Sequence, residues 1–180
     1  MSLIQMRWLG AAFAVAMWCA GMPWSHAQTR QDITTRFTSS LTDVPKGALP
    51  VKGALYVPAY SSVSLSHGRA RADFSVTLSV HNVSEKHPLV LTRIAYFDTT
   101  GSLVQTYLSS PIALKPFATI EVYISVNDIR GGTGANFVID WAAPSREATP
   151  LAEALMLGGI GNATYSFISP GRPIIRESGD

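Results

Sequence analysis

The sequence predicts an all-β fold, an antiparallel immunoglobulin-like β-sandwich of about seven to nine strands. Apolar and polar residues alternate strictly in three stretches, 73–82, 119–126 and 136–141. This period of two places one face of a strand in a core and the other toward water. Turn-forming residues separate the apolar runs, as in the Asp-Thr-Thr-Gly sequence at 98–101, a strong hairpin signal. There is no Cys…Trp…Cys spacing, so an antibody-type domain is not indicated.

The first 27 residues have the features of a signal peptide that is cleaved after Ala27. The apolar run 8–20 lacks a charge and, with only 13 residues, is too short to cross a hydrocarbon core of about 30 Å. Small residues precede the cleavage position. Lipid attachment at Cys19 is disfavoured, because Trp18 stands where a small residue is expected. We therefore expect a periplasmic or secreted protein with no transmembrane segment after cleavage.

Cleavage after Ala27 changes the net charge and the cysteine content of the protein, and both properties exclude or disfavour classes of function. It leaves 153 of the 180 residues, and because Arg7 is lost, 13 Lys and Arg oppose 12 Asp and Glu, a net charge of +1. This near-neutral charge disfavours a nucleic-acid partner. The single Cys of the chain excludes a disulfide framework, and its removal excludes thiol catalysis and Cys-ligated metals. No cofactor is predicted.

After Ala27 the chain divides into a polar leader, one domain and a short tail. Residues 28–53 lack periodicity and are predicted to be a flexible leader, with an extra strand around 33–37 as the alternative. The β-sandwich domain is expected over 54–176, followed by a tail at 177–180. Segment 151–157 reads as helix or strand, since Ala, Glu, Leu and Met are good helix formers. Besides the three alternating stretches, the strand candidates are 54–57, 62–65, 89–97, 103–108 and 165–168, of which 89–97 is expected to be central because it is apolar on both faces.

The segment 127–136 is the most unusual in the sequence, since it holds three glycines beside an arginine. Glycines permit a close backbone approach, so successive amides are able to form an anion-binding nest with Arg130 adding charge. The alternative is a tight connection that enters the strand at 137–141. Our hypothesis is a surface for an unknown envelope protein or small ligand, with Trp141 nearby. Its predicted residues are Asp128, Arg130, Gly131, Gly132, Gly134 and Asn136, with the tyrosines Tyr56 and Tyr60 near them.

Two other function classes stay open. His81, His87 and Asp98 are candidates for a metal site with nitrogen and oxygen ligands, against the alternative of solvated surface side chains. A hydrolase with a sparse Ser/His/Asp site is the second class, although there is no G-x-S-x-G elbow and no catalytic residue is assigned. Enzyme activity is therefore left undecided.

Several phrases together resemble an uncharacterised bacterial envelope family, domain of unknown function 3124. The resemblance spans about residues 54–172, and its most specific phrase is the glycine-Asn-Phe sequence at 131–137. His81 stands where the family pattern has Arg. The resemblance implies a secreted or lipid-anchored β-domain and implies no activity. The phrases that carry it lie at 56–61, 78–82, 96–104, 131–137, 154–158 and 166–169.

Overall fold

The computed structural model describes residues 32–175 of the chain. The predicted signal peptide, the first residues of the predicted leader and the tail at 177–180 lie outside the described residues. Within 32–175, one short α-helix and twelve β-strands are present. Their bounds are α1 Ile33–Arg36, β1 Leu41–Thr42, β2 Val51–Pro58, β3 Ser62–Leu65, β4 Ala70–Asn82, β5 Leu89–Phe97, β6 Leu103–Thr106, β7 Ile112–Leu114, β8 Thr119–Ile124, β9 Asn136–Ala143, β10 Pro150–Ile160, β11 Ala163–Pro170 and β12 Arg172–Pro173.

The strands form two sheets, and every strand pair is antiparallel. The first sheet has the order β1-β7-β5-β9-β2-β12, and β6 also pairs with β5. The second has the order β11-β10-β4-β3, and β8 also pairs with β4. The predicted all-β antiparallel sandwich is confirmed. The strand number exceeds the expected seven to nine, because strands of two or three residues are too short to show a period.

One hydrophobic core lies between the two sheets, and the alternating stretches supply it. Every second residue of β4 from Phe74 to Val80 is buried, as are Ile120, Val122 and Ile124 of β8 and alternate residues of β9. Their neighbours point outward and are mostly polar, with Val138 of β9 as an apolar exception. Each such side chain that leaves water contributes about 1.5–3 kcal/mol, so this alternation is the main source of the fold's stability.

Strand β5 is central, as its apolar character on both faces predicted. It pairs with β9 on one side and with β7 and β6 on the other. Its outward-facing Val90 forms a second, small cluster with Ala113 and Ala142, and Leu49 packs on that cluster. The outer face of the first sheet is therefore covered at this point by the segment that precedes β2.

The described part of the predicted leader is folded onto the domain rather than extended from it. Asp32 caps α1 by accepting a hydrogen bond from the Thr34 amide at 3.1 Å, and Ile33 is buried in the main core. Strand β1 then pairs with β7. The alternative, a strand around 33–37, is replaced by this helical turn. The sequence did not show it because the apolar residues that dock are isolated and follow no period.

The ambiguity at 151–157 is resolved in favour of a strand. Strand β10 pairs with β4 on one side and β11 on the other. Ala152, Ala154 and Met156 face the core, whereas Leu155 and Leu157 are exposed. The period of two was present in the sequence, but Glu153 is the one polar residue on the outward face of 151–157, so polarity did not distinguish the two faces.

Candidate functional site

Three loops meet where β5 ends and β9 begins. Asn136 pairs with Phe97 of β5 and with Pro58 of β2, which aligns the ends of these strands. The connections that leave them are 59–61, 98–102 and 125–135, and we call this the glycine-loop end. The Ala59 amide donates to the Ala135 carbonyl at 2.8 Å, which joins the first connection to the third.

Side chains of the neighbouring loops hold the glycine segment in place. The Thr99 hydroxyl donates to the Gly131 carbonyl at 3.0 Å and accepts from the Gly134 amide at 2.9 Å. The Ser61 hydroxyl donates to the Gly132 carbonyl at 2.8 Å. The loop is thus a short 3-10 segment with a kink at Gly132, where φ is 71° and ψ is −153°, a conformation that favours glycine. These bonds order the loop before any ligand arrives.

Gly131 lies directly above a buried tyrosine. A Cβ atom at this position would overlap the hydroxyl of Tyr96 and would approach the Ala135 Cβ to 2.7 Å. Tyr96 is fully buried in β5, and its hydroxyl makes no hydrogen bond of ordinary geometry with any residue in 32–175. Burial raises the pKa of Tyr96, and the nearby Ser61 hydroxyl opposes that shift. The hydroxyl therefore stays neutral beneath the loop.

The exposed part of the loop presents a cation and an apolar side chain. Arg130 donates two hydrogen bonds to the Asp128 carboxylate, from Nε at 2.8 Å and from Nη2 at 2.6 Å. The bond from Arg130 lowers the pKa of Asp128 and raises that of Arg130. The Arg130 side chain remains 55% exposed, and Ile129 beside it is 70% exposed.

The anion nest predicted from the glycines is not favoured by this geometry. The Gly134 amide donates to Thr99, and the Arg130 amide donates to the Asp128 carboxylate at 3.2 Å. Both are inward or local bonds, so these amides do not converge on a ligand. The close packing at Gly131 and the positive φ at Gly132 fit the alternative interpretation, in which the glycines serve loop geometry, and the side chains of Ile129 and Arg130 are exposed.

The aromatic residues expected near the loop have different environments. Tyr56 is exposed on the outer face of the first sheet, opposite Val138. Tyr60 is half-buried, and its ring centroid lies 6.0 Å from that of Phe167. Trp141 is buried against Gly53, five positions along β9 from Asn136 and therefore about 16 Å from the loop. Tyr56 pairs two positions along β9 from Asn136, about 7 Å from the start of the loop, whereas Trp141 lies farther along the strand and is apart from the six predicted loop residues.

The three candidate metal ligands do not meet. Strand β5 separates His87, which precedes it, from Asp98, which follows it, by about 30 Å. The Asp98 carboxylate accepts bonds from the Thr100 hydroxyl and from the amides of Ser102 and Thr100 in its own turn, and these bonds lower its pKa. His81 bonds the Thr119 hydroxyl at 2.8 Å. Across residues 32–175, no group of three His, Cys, Asp or Glu residues is able to hold a metal ion.

The geometry also gives no support to the hydrolase alternative. Within the described range, the partners of the histidine rings are the Thr119 hydroxyl for His81 and the Glu147 carboxylate for His87, at 3.6 Å. His67 is exposed in a turn. No serine hydroxyl in that range bonds a histidine ring, so the nucleophile and base that the mechanism requires are not paired.

Sequence reasoning missed a buried asparagine at the opposite end of the sandwich. The Asn82 side-chain amide donates to the carbonyls of His87, Leu114 and Lys115 at 2.9, 3.2 and 3.0 Å. Its oxygen accepts from the Ser84 amide at 3.1 Å. At the end of an alternating strand, Asn82 has the sequence context of an ordinary turn residue, and the family-like phrase at 78–82 contains it without implying a role.

Comparisons with known proteins give one family and one distant structure. Residues 52–174 match the family described as "Protein of unknown function (DUF3124)". The comparison with curated proteins finds no match. The crystal structure of Thermotoga maritima 1070 is similar at 12% identity with a TM-score of 0.40, over 71% of this chain and 96% of that one, a score too low to indicate a shared fold. Within 32–175, no helix is long and apolar enough to cross a membrane.

Proposed function

The chain belongs to the family of proteins of unknown function DUF3124, and from that premise we propose that it is an exported β-sandwich binding module of the periplasm. The glycine-loop end is its contact surface, and an envelope protein is its partner. The single observation that carries this proposal is the ordered loop 125–135, which is fixed by neighbouring side chains while Ile129 and Arg130 stay exposed.

An ordered loop of this kind is suited to binding for two physical reasons. A loop that is already fixed loses little conformational entropy when a partner docks, so more of the contact energy appears as affinity. An exposed isoleucine beside an arginine also supplies apolar area together with a planar donor group for carboxylates. The partner expected from this chemistry presents an apolar side chain and a carboxylate close together.

Site-specific photo-crosslinking in cells tests the contact surface. A photoreactive amino acid replaces Ile129 in one variant and Phe117 in a matched control, since Phe117 is 68% exposed at the opposite end. We expect a discrete adduct from position 129 and none from position 117. Adding Arg130→Gln is expected to weaken that adduct. Identical adducts from both positions, or an adduct whose yield does not change with Arg130→Gln, would show that the glycine-loop end is not the contact surface.

Export is tested separately from binding. We propose that the signal peptide is cleaved after Ala27 and that Cys19 is removed with it. Mass spectrometry of protein purified from cells that express the full chain is expected to show an N-terminus at Gln28. A chain that retains Met1, or one that carries lipid on Cys19, would overturn this part of the proposal.

A further inference from the structure

Strand β11 is an open sheet edge. It spans Ala163–Pro170, and among the described residues its one strand partner is β10, with which it pairs without a register shift over eight residue pairs. The N–H and C=O groups on its other side therefore face outward. Such an edge is a template for another strand unless the protein blocks it with charge, proline, a bulge or a covering segment.

Among residues 32–175, no charge, internal proline, bulge or covering strand blocks the free edge of β11. Its sequence Ala-Thr-Tyr-Ser-Phe-Ile-Ser-Pro carries no charge, and its one proline is the last residue. It also exposes apolar surface, since Tyr165 and Ile168 are 50% and 57% exposed. A long, flat, uncharged edge with exposed apolar side chains is the kind that pairs with another chain.

The other strands at the edges are shorter or covered. Strands β1 and β12 have two residues each, and β12 contains Arg172 and Pro173. Strands β3 and β6 have four residues each. Strand β8 has six, and its Glu121 forms an ion pair with Arg36 of α1, which packs beside it. Only β11 combines length, neutrality and exposure within the described part of the chain.

An exposed apolar patch continues from this edge across the outer face of the second sheet. Ile168 pairs with Leu155, and Leu155 and Leu157 of β10 are both exposed. Leu155 in turn pairs with Thr77, which pairs with the exposed Tyr123 of β8. These four paired residues form a row across β11, β10, β4 and β8: Ile168, Leu155, Thr77 and Tyr123. A strand that pairs with β11 would extend this patch.

We infer that two copies of this chain pair through β11 in antiparallel fashion and join their second sheets into one continuous ten-stranded sheet. A second copy fits this edge because two neutral strands meet without like-charge repulsion. A two-fold axis perpendicular to the sheet keeps the outer faces together, so Ile168 and Leu155 of both copies form one patch. The edge of β11 carries neither Ile129 nor Arg130 of the glycine-loop end, although Tyr60 of that end lies beside Phe167 of β11.

Sedimentation velocity of protein purified from cells that express the full chain tests the dimer. Reductant is included so that Cys19 cannot link two chains. Because one strand pair is a small interface, we expect a monomer–dimer equilibrium with a Kd on the order of 10 µM. A monomer at every concentration up to about 200 µM, or an assembly larger than a dimer, would overturn the inference.

Charge substitutions on the edge distinguish this interface from other self-association. Ser166 is exposed in the middle of β11, so Ser166→Lys and Ser166→Glu are expected to fold and to weaken the dimer at least tenfold when each is alone. An equal mixture of the two variants is expected to recover dimer through opposite charges. Thr106→Lys on the exposed edge of β6 is the matched control and leaves the Kd unchanged. Failure of the mixture to dimerise, or equal weakening by Thr106→Lys, would contradict β11 pairing.

Discussion

The side chain of Tyr96 restricts which residue is able to occupy position 131. The tyrosine hydroxyl fills the space that a Cβ atom at 131 would occupy. The sequence predicted that the glycines of this loop serve either geometry or a ligand, and the structure assigns Gly131 to close packing. The pairing of this glycine with a residue 35 positions earlier depends on the tertiary register of β5 and β9, which the sequence does not reveal.

Gly131→Ala is expected to destabilise the protein by about 2–3 kcal/mol, because the added methyl overpacks the Tyr96 hydroxyl. Adding Tyr96→Phe removes that hydroxyl and is expected to recover part of the loss. Gly47→Ala is the matched control, since no atom lies within 4 Å of a Cβ at that position. Urea denaturation measures all three. Equal effects at 131 and 47 would show that the tyrosine does not constrain the loop.

Asn82→Ala is expected to cost about 2–4 kcal/mol of unfolding free energy. The substitution leaves the carbonyls of His87, Leu114 and Lys115 without the amide that now bonds them. Asn127→Ala, at an exposed position, is expected to change stability by less than about 0.5 kcal/mol. Thermal or urea unfolding distinguishes the two, and a small effect at Asn82 would contradict its assigned role.

The ion pair of Asp128 with Arg130 makes a pH-dependent contribution to stability. Because the pKa of Asp128 in the folded state lies below its ordinary value of 3.8, its carboxylate stabilises the fold above that pH. The contribution is lost as the pH falls through the folded pKa. Asp128→Asn keeps an oxygen for the Arg130 amide but lacks the charge. We therefore expect its free energy of unfolding to fall furthest below that of wild type at pH 6, where Asp128 of wild type is ionised.

Urea denaturation from pH 6 to about pH 2.5 measures the free energy of unfolding of wild type and of Asp128→Asn. The difference between them is expected to decrease as the pH falls. The exposed Asp43→Asn serves as the matched control, and at pH 6 it is expected to change the free energy of unfolding by less than about 0.5 kcal/mol. A deficit for Asp128→Asn that stays constant with pH would mean that the ion pair with Arg130 does not stabilise the folded loop.

At the scale of elements, the strands that the sequence revealed most clearly are those with one apolar and one polar face. Strands β4, β8 and β9 were predicted for this reason, and β5 was predicted as central from its two apolar faces. Strand β10 stayed ambiguous because Leu155 and Leu157 are apolar although they are exposed. Strands β1, β7 and β12 were missed because two or three residues show no period.

The docked helix α1 gives a direct test of the N-terminal segment. Ile33 is only 5% exposed, so Ile33→Ala is expected to cost about 2–4 kcal/mol through the cavity that it leaves. Ile175→Ala, at a position that is 94% exposed near the other end of the described chain, is expected to be neutral. Denaturation in urea compares them. A neutral Ile33→Ala would mean that the segment before β2 is dispensable, as the predicted flexible leader implied.

At the scale of the whole molecule, three surfaces are formed by different residues within 32–175. The glycine-loop end presents Ile129 and Arg130 on an ordered loop, and the opposite end is organised by Asn82. The edge of β11 is the surface inferred to join two copies. The sequence indicated the fold class and the six loop residues of the proposed contact surface. It could not show that Thr99, Ser61 and Tyr96 support the loop, because these contacts join distant segments.

The central claim, that the glycine-loop end binds the partner, is tested most directly by the affinity of the crosslinked partner for two single variants. Isothermal titration compares Ile129→Ser with Phe117→Ser, which remove similarly exposed apolar side chains at opposite ends. We predict at least a tenfold weaker Kd for Ile129→Ser, about 1.4 kcal/mol, and a change below about twofold for Phe117→Ser. Equal affinities for the two variants, or a larger loss at Phe117, would contradict the account.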